Sequence, residues 1–261
     1  VLASRPRSVF GPEPGWTIRE ASPGEAKHSA MPTLNEAYPT IARALAAPTG
    51  RRAASTARLD WFQTLVGFAV SRSAETKAAA RLQAALDDAR LLEPTYLAAA
   101  DPAEIVDLLR EARFDAPLKT IRLLQRLATW YESHRGEIER ETAEPYEFPT
   151  SWRDELAEIN GIGRATADAI ALHVFGAAAY PVDRASYRIL YRHGWIDATA
   201  DYDEVSRLLI DVADADPAGL SSLARGLTDV GKRFCKPAAP SCEKCPLRPV
   251  LPEGGPIALD E

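Results

Sequence analysis

Cys235, Cys242 and Cys245 are the only cysteines in the chain, and they fall within eleven residues near its C-terminal end. An odd number spaced this tightly is not a disulfide framework; it reads as a metal site in a reducing compartment. A second chemical signal is the stretch Leu156-Ala157-Glu158-Ile159-Asn160-Gly161-Ile162-Gly163-Arg164-Ala165-Thr166-Ala167. Two glycines flank one β-branched residue between two helical patterns. Gly161 and Gly163 are expected to permit positive φ and to leave their amides unshielded, with Ile162 pinning the turn to the core. The helix beginning at Gly163 then presents unpaired N–H groups and its positive dipole end to an anion. A nucleic-acid phosphate is a natural guest, and such a contact positions a duplex without reading its sequence. The plain alternative is a glycine-rich turn between helices. The third signal is Asp183, which follows Tyr180-Pro181-Val182 and opens a helical segment. By itself it is an N-cap.

The elements that position these residues read as helices throughout. A helix is expected over Leu34–Leu45, ending before the breaker Pro48-Thr49-Gly50. From Leu59, Trp61, Leu65, Phe68 and Ala69 recur at helical spacing; a polar elbow follows at Ser71-Arg72-Ser73, then a second helix to about Leu86. Pro94, Pro102 and Pro117 each stand at the first turn of a helix, where proline is tolerated. Leu118–Glu132 carries Ile121, Leu124, Leu127, Ala128 and Tyr131 on one face, before a Pro- and Glu-rich loop over Glu137–Pro149. Two helices joined by a tight turn follow in Ser151–Gly176, then helices over Val182–Arg192, Tyr202–Ala213 and Pro217–Val230. No run of alternating β-branched residues suggests a sheet, so the expected class is all-α. Residues 1–35 are expected to be an irregular extension.

The chain has 261 residues, of which 46% are hydrophobic, and a net charge of −6. That charge argues mildly against a protein that coats nucleic acid through bulk electrostatics, but it leaves room for local basic faces. Lys232, Arg233, Lys236, Lys244 and Arg248 stand against Glu243 alone, and Arg184, Arg188 and Arg192 share a stretch with no acid. No segment approaches the roughly 20 apolar residues of a membrane span, and no signal peptide is evident. His28, His134, His173 and His193 do not pair at metal or triad spacing and are read as structural or exposed. Trp61, Trp130, Trp152 and Trp195 are read as core, as is Tyr187; Lys119 is a candidate backbone contact.

Taken together, the hairpin, the Val182-Asp183 pair with Arg188 five residues on, and the cysteine loop resemble the endonuclease III family of helix-hairpin-helix DNA glycosylases. The resemblance runs from about Leu59 to Pro249. It implies a two-domain all-α fold: a six-helix module over 59–180 ending in the hairpin, and a helical module with a cysteine cluster loop from 36–58 plus 181–261. It implies a repair enzyme that flips a damaged or mismatched base from double-stranded DNA and breaks its N-glycosidic bond. Asp183 would be the catalytic carboxylate, stabilising oxocarbenium character and orienting or deprotonating water. Gly161, Ile162, Gly163, Arg164 and Ala165 would bind DNA. The protein would be a monomer in the cytoplasm, associated with a bacterial nucleoid.

The chain departs from that family at three places. Bifunctional members carry a nucleophilic lysine shortly after the second hairpin glycine; the matching residue here is Ala165, and no lysine lies between Lys119 and Lys232. Water is therefore the expected nucleophile, without an efficient lyase step; the alternative is a non-catalytic protein that binds lesions or abasic sites. At the elbow the family presents a glutamine that fills the gap left by the flipped base, and Arg72 or Ser73 stands there instead, unless the segment is a solvated bend. Cys235, Cys242 and Cys245 match the first three ligands of the family's iron–sulfur loop, but the fourth position is Leu251. The expected cofactor is a [4Fe-4S] cluster with a non-cysteine fourth ligand (Glu253, Asp260, Glu261 or solvent). A three-iron cluster and loss of the cluster remain open, while zinc lacks a histidine after His193 to complete its set.

Overall fold

The computed structural model describes residues 32–46, 61–73, 76–111, 114, 116–140 and 148–258. Among the described residues all regular structure is helical, and no helix is long and apolar enough to cross a membrane. All but the last four residues of the expected irregular extension, and the Pro48-Thr49-Gly50 breaker, lie outside the described residues; Leu34 and Asn35 already belong to the first helix. The chain divides into two compact units, one of residues 53–177 and one that joins residues 1–52 to residues 178–261.

The unit of residues 53–177 contains α2 (Trp61–Ser73), α3 (Thr76–Asp88), α4 (Pro94–Ala99), α5 (Pro102–Glu111), α6 (Leu118–Ile138), α7 (Thr150–Glu158) and α8 (Arg164–His173). Its core forms around α6, whose Ile121, Leu124, Leu127, Ala128 and Tyr131 are buried at helical spacing. Phe62, Leu65, Val66 and Val70 of α2, Leu97 of α4, Leu109 of α5 and Ile170 of α8 join the same cluster. Proline starts α4 and α5, and Pro117 is the N-cap of α6. The Gln125 side-chain amide donates to the Leu97 and Ala100 carbonyls at 3.1 and 2.7 Å, supplying partners at the end of α4. The helix α6 runs six residues past the Glu132 expected from sequence. Arg135 explains the extension: it pairs with Glu132, Glu139 and Glu93, while Ile138 continues the buried stripe.

The other unit contains α1 (Leu34–Leu45), α9 (Arg184–Arg192), α10 (Tyr202–Val212) and α11 (Pro217–Arg233), followed by 3-10 turns at Cys242–Lys244 and Arg248–Val250. Thr33 and Glu36 form a capping box on α1, and Asp201 and Glu204 form one on α10. The α9 helix begins at Arg184 rather than Val182, because Asp183 caps it. The centre of this unit is α11, which packs on α9 and α1 through two glycines. A Cβ at Gly226 would stand 2.7 Å from Leu45 Cβ, and one at Gly231 would stand 2.3 Å from Ala185 Cβ and 3.2 Å from its Cα.

Ala185 Cβ is fixed to a helix backbone and cannot swing aside, so α9 and α11 must part to admit any side chain at residue 231. Gly231→Ala is expected to destabilise the protein by about 1–3 kcal/mol, the usual range for overpacking, read as a melting temperature lowered by about 2–4 °C per kcal/mol. An unchanged melting temperature would show that the two helices are not held at this distance.

Candidate functional site

In the hairpin, α7 stops where Ile159 leaves helical geometry at ψ 124°. The Ile162 amide donates back to the Ile159 carbonyl at 2.8 Å, closing the turn. Gly161 sits at φ +100°, where a side chain is strained, and Ile162 is buried beside it. Gly163 corrects the expectation for the second glycine: its φ is −108° and ψ 178°, extended backbone open to any residue. A Cβ there would meet no atom within 4 Å. Nothing inside the fold requires glycine at 163, while the space in front of α8 stays clear because of it. Gly163 is the N-cap of α8 with no side-chain cap bond, and its carbonyl accepts the Thr166 and Ala167 amides at 2.9 and 3.0 Å. Ala165 lies in the first turn that follows.

Two braces hold this turn. The buried Asp168 of α8 takes a two-pronged ion pair from Arg153 of α7. From α6, the Arg126 guanidinium donates to the Asn160 carbonyl at 3.1 Å, and Leu123 stands against Gly161. Lys119, Arg122 and Arg126 are exposed on α6; their spacing of three and four residues was available in the sequence, but only Lys119 was singled out there. Ser71 ends its helix by donating to the Phe68 carbonyl at 2.8 Å, and the elbow residues Arg72 and Ser73 finish α2, with side chains outside the described residues.

Asp183 is half-buried at the head of α9. Its Oδ1 accepts the Ser186 amide at 2.6 Å, and its Oδ2 accepts the Thr228 hydroxyl of α11 at 2.7 Å. The carboxylate is thus held from two helices, and each oxygen keeps lone-pair capacity for a further partner. The loop before it is equally fixed. The Val182 amide donates to the Tyr202 hydroxyl at 3.3 Å, Ser206 donates to the Tyr180 carbonyl at 3.1 Å, and the Tyr180 and Ser186 hydroxyls lie 3.0 Å apart. Burial pushes the Tyr180 phenol far above its usual range, opposed by the Ser186 bond and aided by the Asp183 charge. Tyr187 donates to the Ala198 carbonyl at 2.9 Å, a packing role as expected.

The three cysteines line one partly open cavity with Arg192, His193, Leu247 and Leu251. Among the described residues no three His, Cys, Asp or Glu side chains close on a single-ion centre. Burial and the neighbouring thiols raise Cys245, and burial foremost raises Cys242. Of the three arginines expected as a basic face, Arg184 is exposed, while Arg188 and Arg192 turn inward. Arg188 donates to the Cys235 carbonyl at 2.7 Å. Arg192, which is 4% exposed, donates to the Cys235 sulfur at 3.4 Å and to the Lys236 carbonyl at 2.7 Å. A charge run on a short helix cannot reveal from sequence that its partners are loop carbonyls more than 40 residues away. Lys232, Arg233, Lys236 and Lys244 are exposed as expected, and Arg248 pairs with Glu243 at 3.2 Å.

His193 was set aside on sequence grounds, yet it is buried in the wall of this cavity. Its Nδ1 lies 2.8 Å from the Ile189 carbonyl, and its Nε2 has no partner in hydrogen-bonding geometry, although the Leu247 backbone lies near enough to act on the ring. Burial pushes this imidazole below its usual range, against the pull of the Ile189 and Leu247 carbonyls. Of the expected fourth ligands, Glu253 is exposed and does not line the cavity, while Asp260 and Glu261 lie outside the described residues.

No family model matches the chain. A protein of Methanocaldococcus jannaschii described as a DNA repair glycosylase is 27% identical over 187 residues, covering 72% of this chain and 83% of the relative. Endonuclease III of Thermotoga maritima is 29% identical over 155 residues, 59% of this chain and 66% of the relative. A trapped endonuclease III–DNA covalent intermediate superposes with TM-score 0.56 at 21% identity, covering 84% of this chain and 93% of that one. A thermostable thymine-DNA glycosylase superposes with TM-score 0.54 at 18% identity, covering 82% and 92%. These two likenesses are of fold, and they agree with the sequence relatives: the chain is similar to endonuclease III and DNA repair glycosylases in sequence and shares the endonuclease III fold.

Proposed function

We propose that the protein removes a damaged or mismatched base from double-stranded DNA by hydrolysing its N-glycosidic bond, with Asp183 as the catalytic carboxylate. The observation that carries this reading is the double anchorage of Asp183, by the Ser186 amide and the Thr228 hydroxyl. An N-cap needs only the first of these bonds. The second fixes the other oxygen and orients the carboxylate, as a charge stabiliser must be oriented before the sugar develops oxocarbenium character. The target nucleotide must leave the stack for any side chain to reach C1′.

The hairpin holds the backbone. Gly161, Ile162 and Gly163 shape the turn, and the amides from Gly163 to Ala165 face a phosphate in front of α8, with Arg164 adding charge. Arg72 or Ser73 fills the gap left by the flipped base, the alternative being a solvated bend. Ala165 offers no amine, so water attacks the sugar and no Schiff base forms. Cys235, Cys242 and Cys245 hold an iron–sulfur cluster of the [4Fe-4S] type: three thiol donors share one cavity, and Arg192 of the same cavity donates to the Cys235 sulfur. The cluster supplies no step of base removal and serves as a staple, keeping the exposed lysines and arginine of the loop in place.

Three outcomes test these assignments. Asp183→Asn is expected to lower base release by about 10²–10⁴-fold on duplexes carrying uracil, thymine glycol, oxidised guanine, alkylated bases or mismatches, with duplex binding retained; binding without release in the unmodified protein would instead mark a lesion sensor. Borohydride added during turnover should trap no protein–DNA adduct, whereas Ala165→Lys should create one; trapping with the natural chain would overturn the water mechanism. Gly163→Ala should lower stability by no more than about 1 kcal/mol, the cost of a poorer N-cap, since its Cβ meets nothing, and weaken duplex binding by roughly tenfold, the loss of one charge-assisted contact. Unchanged binding would remove the hairpin from the DNA interface.

A further inference from the structure

Building on the cluster assignment above, we infer that the His193 Nε2 is the fourth ligand of the iron–sulfur cluster, in place of the missing cysteine at Leu251. The first ground is position. His193 shares the cavity wall with Cys235, Cys242, Cys245 and Leu251, and Leu251 offers iron no donor atom. The second is an unmet polar atom. Among the described residues only two buried side-chain nitrogens or oxygens lack a partner, Trp130 Nε1 and His193 Nε2. An indole N–H can only donate; an imidazole nitrogen can ligate. Leaving such an atom buried and unpaired is costly, and a metal–nitrogen bond removes that cost.

The third ground is tautomer. Nδ1 lies 2.8 Å from the Ile189 carbonyl, which can only accept, so Nδ1 carries the proton and Nε2 carries the lone pair. A ligating histidine commonly donates its other ring N–H to a backbone carbonyl in this way. Its ring is stacked on Trp195, with centroids 4.6 Å apart and planes 19° apart, which restricts its rotation. The thiols and the imidazole line one cavity. Histidine replaces cysteine in some iron–sulfur centres and raises their potential, because a neutral donor leaves the cluster less negative than a thiolate does.

The test uses the full chain labelled with ¹⁵N-histidine and reconstituted anaerobically with iron and sulfide. Hyperfine spectroscopy of the cluster in a paramagnetic state should show a directly bonded ¹⁵N. His193→Cys should keep iron and sulfide at four per chain, as a [4Fe-4S] centre requires, lose the ¹⁵N coupling and lower the potential. His193→Ala should lose the coupling and shed iron faster under chelator. A four-iron cluster with no ¹⁵N coupling, or coupling that survives in His193→Cys, would sink the histidine assignment and leave the cluster standing. Failure of the unmodified chain to take up iron would sink both.

Discussion

The close approach of α9 and α11 is the constraint from which the organisation of the second unit follows. It exists because Gly231 has no side chain where Ala185 Cβ stands. Along this contact, Thr228 of α11 reaches the carboxylate at the head of α9, and Arg188 of α9 reaches the Cys235 carbonyl just past the end of α11. A nine-residue helix spans about 13 Å at 1.5 Å per residue, so one short rod carries the carboxylate at its N-terminus and the histidine of the cysteine cavity just past its C-terminus. Whatever stiffens the cysteine loop therefore bears on the helix that aims Asp183. On the proposed assignments, a structural staple in the loop would have a mechanical link to Asp183 without a place in the chemistry.

The two arginines show how a helix with charged residues can sit inside a fold. Arg192 is almost wholly buried, and loop carbonyls receive its guanidinium. A buried guanidinium with several acceptors avoids the penalty of an unsatisfied charge. It also places a positive group beside the Cys235 sulfur. The same side chain thus satisfies the loop backbone and reaches the wall of the cysteine cavity.

Much of the fold and part of the site could be read from sequence because short-range rules govern them. The heads of the helices follow from Pro94, Pro102, Thr33 and Asp201, and the core stripe of α6 follows from its period. The hairpin turn was legible because only glycine tolerates φ near +100° at residue 161. Gly163 was misread because a sequence cannot separate the two reasons for a glycine, an unusual φ and a need for open space. The rest was hidden by chain separation. Thr228 is 45 residues from Asp183, Arg192 is 43 from Cys235, and His193 meets the cysteines only when α9 and the loop are folded together. Spacing within a motif finds local neighbours and misses a side chain brought to the same cavity by another helix.

The departures from the family pattern fall on side chains, while what remains is built largely from backbone. Replacing the hairpin lysine by Ala165 removes a nucleophile but leaves the Gly161 turn and the first amides of α8 unchanged, since neither depends on that side chain. Replacing the fourth cysteine by Leu251 removes one donor but leaves the loop anchored. Cys235 is held by its amide bond to the Val230 carbonyl, the Ser241 amide closes on the Phe234 carbonyl, and α9 arginines grip the intervening chain. Because the hairpin turn rests on backbone geometry and the loop is anchored on carbonyls, either side chain can change without unfolding the element that carried it. Under the assignments proposed above, the chemistry at each site passes to what still faces it: water at the hairpin, and at the cysteine cavity the His193 nitrogen that has no hydrogen-bond partner among the described residues.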